Sequence, residues 1–233
     1  MKIDILPDAD SAAKAGAAFV AAEARAAVAA GERFTFAVSG GHTPWIMLAD
    51  LAQETVPWKE VDILQVDERI APMGDPDRNL THLRKSLLAH APLSERQIHA
   101  MPVDSPDLEI AAASYAATLR EIAGSPLVLH LVHLGLGPDG HTASLIPGDP
   151  VLGVTDADVA LTGFYQGRRR MTLTYPVLNR ARRILWLVTG DEKAEMLSKL
   201  MHGDRSIPAG RVNQERAVVI ADRAAASQLV LTK

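Results

Sequence analysis

Short apolar runs alternate along the chain with longer segments in which apolar residues recur at helical spacing. The apolar runs are rich in Val, Ile and Leu and are typical of buried strands. They cover residues 34–38, 61–66, 127–134, 159–165, 184–188 and 217–221. Helices are predicted over residues 11–30, 79–89 and 107–123. Two further helices are predicted, one directly after residues 39–44 and one that follows residue 193 and ends at about residue 201. This alternation predicts an α/β fold in which helices cover both faces of a mostly parallel sheet.

No internal repeat, low-complexity linker or obvious boundary divides the chain, so we expect a single domain over residues 1–233. A formal charge of -4 and a pI of about 6.1 argue against a protein that binds nucleic acid or a membrane surface. The alanine-rich segment 12–30 carries charges, which favours a helix in water over a membrane span. A cytoplasmic location is the default expectation, and a monomer and a small homo-oligomer both remain open.

Polar segments follow four of the predicted strands. They read SGGHTP at 39–44, DER at 67–69, GLGPDGHTAS at 135–144 and TGDEK at 189–193. Because the carboxyl ends of parallel strands lie along one edge of a sheet, these segments are expected to meet in one crevice.

The first of these segments joins a strand to a helix through glycine. Thr43 suits the N-cap of that helix and Pro44 its first turn. Free backbone N–H groups and the helix dipole would make this loop an anion site, although an ordinary turn and cap is the alternative. It is not a Walker A loop, because no Gly-Lys-Ser/Thr follows.

Asp139 and His141 lie in the third segment, among three glycines and just past a buried strand. A titratable imidazole in this position predicts a catalytic role for His141. The alternative is a glycine-rich turn that contains a histidine by chance. His130 and His133 belong to the strand itself and are expected to face helices or to close hydrogen bonds.

Basic and acidic side chains near the other strand ends have two interpretations. Asp67, Arg69 and Lys193 could contact an anionic, hydroxylated substrate or lie in solvated loops. Two interpretations of the run Arg168 to Arg170 are also open. Either all three arginines lie on a solvated surface, or one of them points into the site. The chain has no Cys and no His cluster with metal-ligand spacing, so no catalytic metal is expected.

Taken in order, these motifs resemble those of the 6-phosphogluconolactonases over essentially the whole chain. The motifs are SGGHTP, VDERIAP with DPDRNL after it, LGLGPDGHTASLIPG, RMTLTYPVLN and LVTGDEKAEML. The resemblance implies a Rossmann-like three-layer α/β/α fold and hydrolysis of a phosphosugar lactone, without metal or cofactor, in the oxidative pentose phosphate pathway.

The resemblance also implies roles for particular residues. His141 matches the catalytic histidine, with Asp139 as its acidic neighbour. The residues that match substrate-binding positions are Ser39, Gly40, Gly41, Thr43, Asp67, Arg69, Arg170 and Lys193. The individual roles of Asp67 and Asp139 stay open. His42 departs from the small serine that the family usually has in the glycine loop.

Two other functions compete with lactone hydrolysis. The first is a sugar-phosphate deaminase or isomerase of the same superfamily, in which an Asn-Glu-Pro sequence follows the D-G-H motif. Here Ile146 stands in place of that glutamate, and an apolar side chain cannot relay a proton. The second is a sugar-phosphate sensor, which would usually carry a helix-turn-helix that has no room before the first predicted strand.

Overall fold

The computed structural model describes residues 1–229, so the last four residues of the predicted domain lie outside the described residues. Its strands are β1 Lys2–Leu6, β2 Phe34–Val38, β3 Val61–Gln65, β4 Asp67–Arg69, β5 Ile98–His99, β6 Leu131–Leu134, β7 Val159–Leu161, β8 Arg170–Leu173, β9 Arg183–Val188 and β10 Ala217–Asp222. Its α-helices are α1 Ala9–Ala29, α2 His42–Leu51, α3 Asn79–Leu83, α4 Leu108–Ala123, α5 Tyr175–Arg180 and α6 Ala194–Met201.

Most of the strands form one parallel sheet. In the described part of the chain it has seven strands in the order β1-β10-β9-β6-β2-β3-β5, and every neighbouring pair is parallel. Successive side chains of a strand point to opposite faces. In β9, Leu185 and Leu187 accordingly pack against α1 and α2, while Trp186 faces the layer that contains α4 and α6. The predicted Rossmann-like three-layer α/β/α fold is confirmed.

A second, antiparallel sheet was not predicted. It consists of β4, β8 and β7 in that order, with Asp67 opposite Thr172 and Arg69 opposite Arg170. Residues 67–69 were expected to be a polar segment after a strand, either in a solvated loop or in contact with an anionic substrate, and not a strand of their own. The expectation was wrong because β8 pairs with this segment and the two acidic side chains are buried.

Several element boundaries also differ from the prediction. The edge strand β1 and the short strand β5 were missed, and the strands predicted over 127–134 and 159–165 are shorter, at 131–134 and 159–161. The helix predicted over 79–89 is α-helical only to Leu83 and continues as one π-helical turn, Arg84–Leu88. No helix within residues 1–229 has both the length and the apolar composition to cross a membrane.

Candidate active site

Four predicted polar segments meet at the carboxyl edge of the large sheet. The strands that precede them, β9, β6, β2 and β3, are neighbours in that sheet. The segments enclose a cavity of about 340 Å³, within the usual range for small-ligand pockets. The predicted residues that line it are Ser39, Gly40, Gly41, Thr43, Asp67, Arg69, His141, Arg170 and Lys193. Asp139 lies behind His141 and touches it.

The glycine loop leads from β2 directly into α2. The N-cap of α2 is Gly41, with a φ of 136°, and no side chain of the described residues caps the helix. The prediction of Thr43 as N-cap was therefore wrong, because the positive φ of Gly41 allows the helix to begin at His42. The Thr43 hydroxyl instead pairs with that of Thr189 at 2.6 Å, which joins the loop to the end of β9. The uncapped N-terminus of α2 leaves backbone N–H groups available to an anion.

His141 and Asp139 form a hydrogen-bonded pair in the glycine-rich turn after β6. His141 Nδ1 lies 2.6 Å from Asp139 Oδ1, which also accepts the backbone N–H of His141 at 3.1 Å. Burial raises the pKa of Asp139, but the charge of His141 and these hydrogen bonds outweigh it, so the pKa lies below its ordinary value. The ionised carboxylate accepts the Nδ1 proton, which leaves Nε2 as the nitrogen able to accept another.

The turn holds the imidazole closely because it has no side chain at Gly137. A Cβ at this position would overlap His141 Nδ1. The backbone N–H of Gly137 also donates to the carbonyl of His141 at 2.8 Å, which closes the turn. The absence of a side chain at Gly137 therefore lets the His141 ring lie directly against the backbone of the turn.

The other two histidines near this strand cannot play the same role. His133 is fully buried, and its Nδ1 accepts the backbone N–H of Ser39 at 3.3 Å. Burial lowers the pKa of His133 to about 3, so the ring stays neutral beneath the glycine loop. His130 contacts the Thr35 hydroxyl at 3.0 Å and Glu32 at 2.6 Å. Both rings close hydrogen bonds, as the sequence analysis expected.

Glu68 holds the segment that carries Asp67 and Arg69. Its carboxylate is fully buried and accepts the backbone N–H groups of Arg69, Asn79 and Leu80, each at 2.8 Å. Two of those donors begin α3, so one carboxylate joins β4 to the N-terminus of that helix. Asp67 itself accepts the Ser144 hydroxyl at 2.6 Å.

The three consecutive arginines have different environments. Arg168 pairs with Asp75 and Asp77 in an adjoining loop, and Arg169 donates to the Thr162 carbonyl. Arg170 alone lines the cavity, with 4% of its surface exposed. Burial lowers the pKa of Arg170 below its ordinary value, although the charge of Asp67 opposes that shift.

Lys193 reaches the cavity from the segment that follows β9. Its ammonium lies 3.8 Å from a Glu192 carboxylate oxygen, and 20% of its side chain is exposed. Lys193 and Arg69 therefore bring positive charge to two sides of a cavity that also contains the N-terminus of α2.

Comparison with known proteins places the chain in a family. A family model described as "Glucosamine-6-phosphate isomerases/6-phosphogluconolactonase" matches residues 7–221. The chain belongs to this family.

The relatives within the family favour its lactonase branch. The chain is 35% identical to the 6-phosphogluconolactonase of Mycobacterium tuberculosis, with 97% of this chain and 98% of the relative covered. It is 38% identical to that of Synechocystis sp., over 71% of this chain and 70% of the relative.

Solved structures match the fold of both branches. A 6-phosphogluconolactonase from Thermotoga maritima is 26% identical, with a TM-score of 0.79 and 95% of this chain and 98% of that chain covered. A monomeric glucosamine-6-phosphate deaminase is 18% identical, with a TM-score of 0.85 and 98% of this chain and 100% of that chain covered. The fold is therefore common to lactonases and deaminases.

The site of this family member contains residues that the sequence analysis did not assign to it. Asn79 and Gln166 line the cavity, and Tyr165 donates its hydroxyl proton to Asp139 at 2.9 Å. The DPDRNL motif contained Asn79, so that residue carried a sequence signal. Tyr165 and Gln166 carried none, because they belonged to a predicted strand and to the residues just after it.

The described residues contain no group of three or more His, Cys, Asp or Glu side chains placed to hold a metal ion.

Substitution of Gly40 tests the glycine loop. A Cβ there would lie 2.7 Å from Asn79 Cγ and 2.9 Å from the Trp45 ring, so Gly40→Ala must displace the loop or Asn79. Because a shift of about 1 Å in a positioning group can cost about 10²-fold in rate, we expect a loss of that order in kcat/KM. Gly153→Ala is the matched control, since a Cβ there meets nothing within 4 Å. Wild-type kinetics in Gly40→Ala would contradict the assignment of the glycine loop to the candidate active site.

Proposed function

We propose that the chain hydrolyses 6-phospho-D-glucono-1,5-lactone to 6-phospho-D-gluconate in the oxidative pentose phosphate pathway. The observation that carries the proposal is the His141–Asp139 pair, which shares one cavity with the glycine loop at the N-terminus of α2. Relatives named 6-phosphogluconolactonase that align over nearly the whole chain support this substrate.

The phosphate of the substrate binds at the glycine loop. Its charge suits the uncapped N–H groups of α2 and the side chains of Arg69 and Lys193. Binding the phosphate away from the lactone carbonyl positions the reacting carbon and restricts the enzyme to phosphorylated sugars. The carboxylate of Asp67 is available to a sugar hydroxyl.

His141 acts as the general base on water. Nε2 takes a proton from the water while its oxygen forms a bond to the lactone carbonyl carbon, and Asp139 stabilises the resulting imidazolium. The addition of water gives a tetrahedral oxyanion at the former carbonyl carbon. The bond from that carbon to the ring oxygen then breaks, and His141 returns its proton to the departing oxygen. Because the lactone is already an activated ester, the reaction needs no covalent nucleophile.

A coupled assay tests the proposed function. 6-Phosphogluconolactone is generated in place, and its disappearance is measured against the spontaneous rate. We expect accelerated hydrolysis and no ammonia release from glucosamine 6-phosphate, because Ile146 is a buried apolar residue where a deaminase has its glutamate. Ammonia release at a comparable rate would favour the deaminase. Binding of 6-phosphogluconate in a thermal-shift titration without any turnover would favour the sensor.

Removal of the imidazole base tests the mechanism. His141→Asn keeps a polar group but cannot accept the proton, so kcat should fall by about 10²-fold or more while 6-phosphogluconate still binds. The wild-type kcat/KM should rise with pH along a single-ionisation limb that is absent from the variant, after subtraction of spontaneous hydrolysis. His202→Asn is the control, since His202 is exposed and lies at the end of α6. Retention of most activity in His141→Asn would assign the base to another group.

Substitution of Lys193 tests the phosphate site. Lys193→Ala should raise KM for the phosphorylated lactone strongly and change turnover of unphosphorylated glucono-1,5-lactone little, because only the first substrate carries the phosphate. Arg69→Ala should behave in the same way. Lys199→Ala, which removes the same charge from α6 where it pairs with Glu195, is the control. Equal losses on both substrates would place these side chains in the chemistry or the fold instead.

A further inference from the structure

Tyr165 lies at the end of a tight hairpin that connects β7 with β8. The hairpin closes by hydrogen bonds in both directions between the backbones of Tyr165 and Arg168, at 2.9 and 3.2 Å. The two central residues, Gln166 and Gly167, have φ values of 51° and 79°. This is the pattern of a two-residue type I′ turn, which requires positive φ at both positions.

Gln166 is an unfavourable residue for its position in the turn. A non-glycine residue in the left-handed region is strained, and glutamine lacks the short side chain that makes asparagine tolerable there. Here Gln166 lines the cavity, and its side-chain oxygen accepts a hydrogen bond from Arg170 at 3.2 Å. The strained conformation therefore coincides with contacts inside the site, which is where such strain is most often found.

The hairpin is also attached to the neighbouring loop. Arg168 donates to Asp77 at 2.8 Å and to Asp75 at 3.1 Å. Arg69 donates to the Asp77 backbone carbonyl at 2.6 Å. These contacts fix the position of the hairpin relative to the cavity.

The Tyr165 side chain contacts both members of the catalytic pair. Its hydroxyl donates to Asp139 Oδ2 at 2.9 Å, while Asp139 Oδ1 is occupied by His141. Its ring meets the imidazole edge-on, with centroids 5.4 Å apart and an interplanar angle of 66°. The Arg170 guanidinium lies over the same ring, 4.9 Å from its centroid. The two carboxylate oxygens of Asp139 thus serve different partners.

We propose that Tyr165 is a positioning residue that orients Asp139 so that its Oδ1 remains on His141 Nδ1. The inference rests on the proposed role of His141 as base. Without the tyrosine hydroxyl, Asp139 would be held only through Oδ1, by its hydrogen bonds with His141 Nδ1 and with the backbone N–H of His141. The Asp139 side chain is 35% exposed, so these two bonds alone would fix its orientation. Burial and the hydrogen bond to Asp139 both raise the pKa of Tyr165 above its ordinary value, so the phenol stays protonated as the donor.

Removal of the hydroxyl should let Asp139 Oδ1 move away from His141 Nδ1. The carboxylate would then stabilise the imidazolium less, so the acid limb of kcat/KM should move to lower pH. The other charged groups around the pair are Arg170, Asp67 and Arg69 from the small sheet and Glu192 and Lys193 after β9, and all of them are kept in the variant.

Tyr165→Phe tests the proposal, because it removes only the hydroxyl and keeps the ring under Arg170. Misplacement of a catalytic group by about 1 Å can cost about 10²-fold in rate. We expect kcat to fall by about 10-fold or more with KM unchanged, together with the shift of the acid limb. Phe164→Ala is the matched control, since this neighbouring side chain is 78% exposed. Wild-type kcat and an unchanged pH profile in Tyr165→Phe would overturn the proposal.

An NMR titration of the His141 ring separates this inference from the proposed function. The ring signals are assigned by their absence in His141→Asn and are followed with pH in the wild type and in Tyr165→Phe. A midpoint at lower pH in Tyr165→Phe supports the positioning role, even in a protein that fails to hydrolyse the lactone. Coincident titration curves or a midpoint at higher pH would overturn it, whatever the activity. Thermal unfolding of both proteins identifies a variant that fails to fold, and Tyr165→Leu then gives a second variant without the hydroxyl.

Discussion

Parallel pairing of the central strands is the constraint on which the site depends. The pairing of β2 with β3 and β6, and of β6 with β9, brings the carboxyl ends of four strands to one edge. The loops that follow must then lie next to one another, although they are spread along the chain from residue 39 to residue 193. Burial of both faces of the sheet maintains this register, because a shift by one residue would exchange the two sets of apolar side chains. The geometry of the candidate site and the packing of the core therefore depend on the same pairing.

The small antiparallel sheet completes a cavity that the large sheet alone would leave open. It carries Asp67, Arg69 and Arg170 on paired strands and holds Tyr165 and Gln166 in the hairpin between β7 and β8. Its attachment relies on buried polar groups, above all the fully buried Glu68 with its three backbone donors. A buried carboxylate is costly unless its hydrogen bonds are satisfied, so this network fixes one arrangement of β4 and α3. The resulting rigidity keeps Asp67 and Arg69 in place in the cavity that the glycine loop also lines.

The family contains lactonases and deaminases on one fold, so the site must distinguish them. The similarity to a deaminase structure extends over nearly the whole chain, which shows that architecture does not select the reaction. In this chain the segment after His141 continues into Ile146, which is buried and apolar. Ring opening and deamination require proton transfer at several atoms, whereas hydrolysis of an activated ester requires one base that later returns its proton. One imidazole oriented by one carboxylate is sufficient for the second reaction.

The sequence by itself determined the layered fold, most of the large sheet, the glycine loop and the place of His141 at the carboxyl edge of that sheet, because these depend on local apolar patterns and on motifs of contiguous residues. It did not determine that residues 67–69 form a strand, that Arg170 and not its neighbours enters the cavity, or that Tyr165 contacts Asp139. Each of these depends on pairing between segments about a hundred residues apart or on a turn that reverses the chain. A charged residue looks the same in a sequence whether it is solvated or paired, and only the tertiary structure supplies the partner that decides between the two.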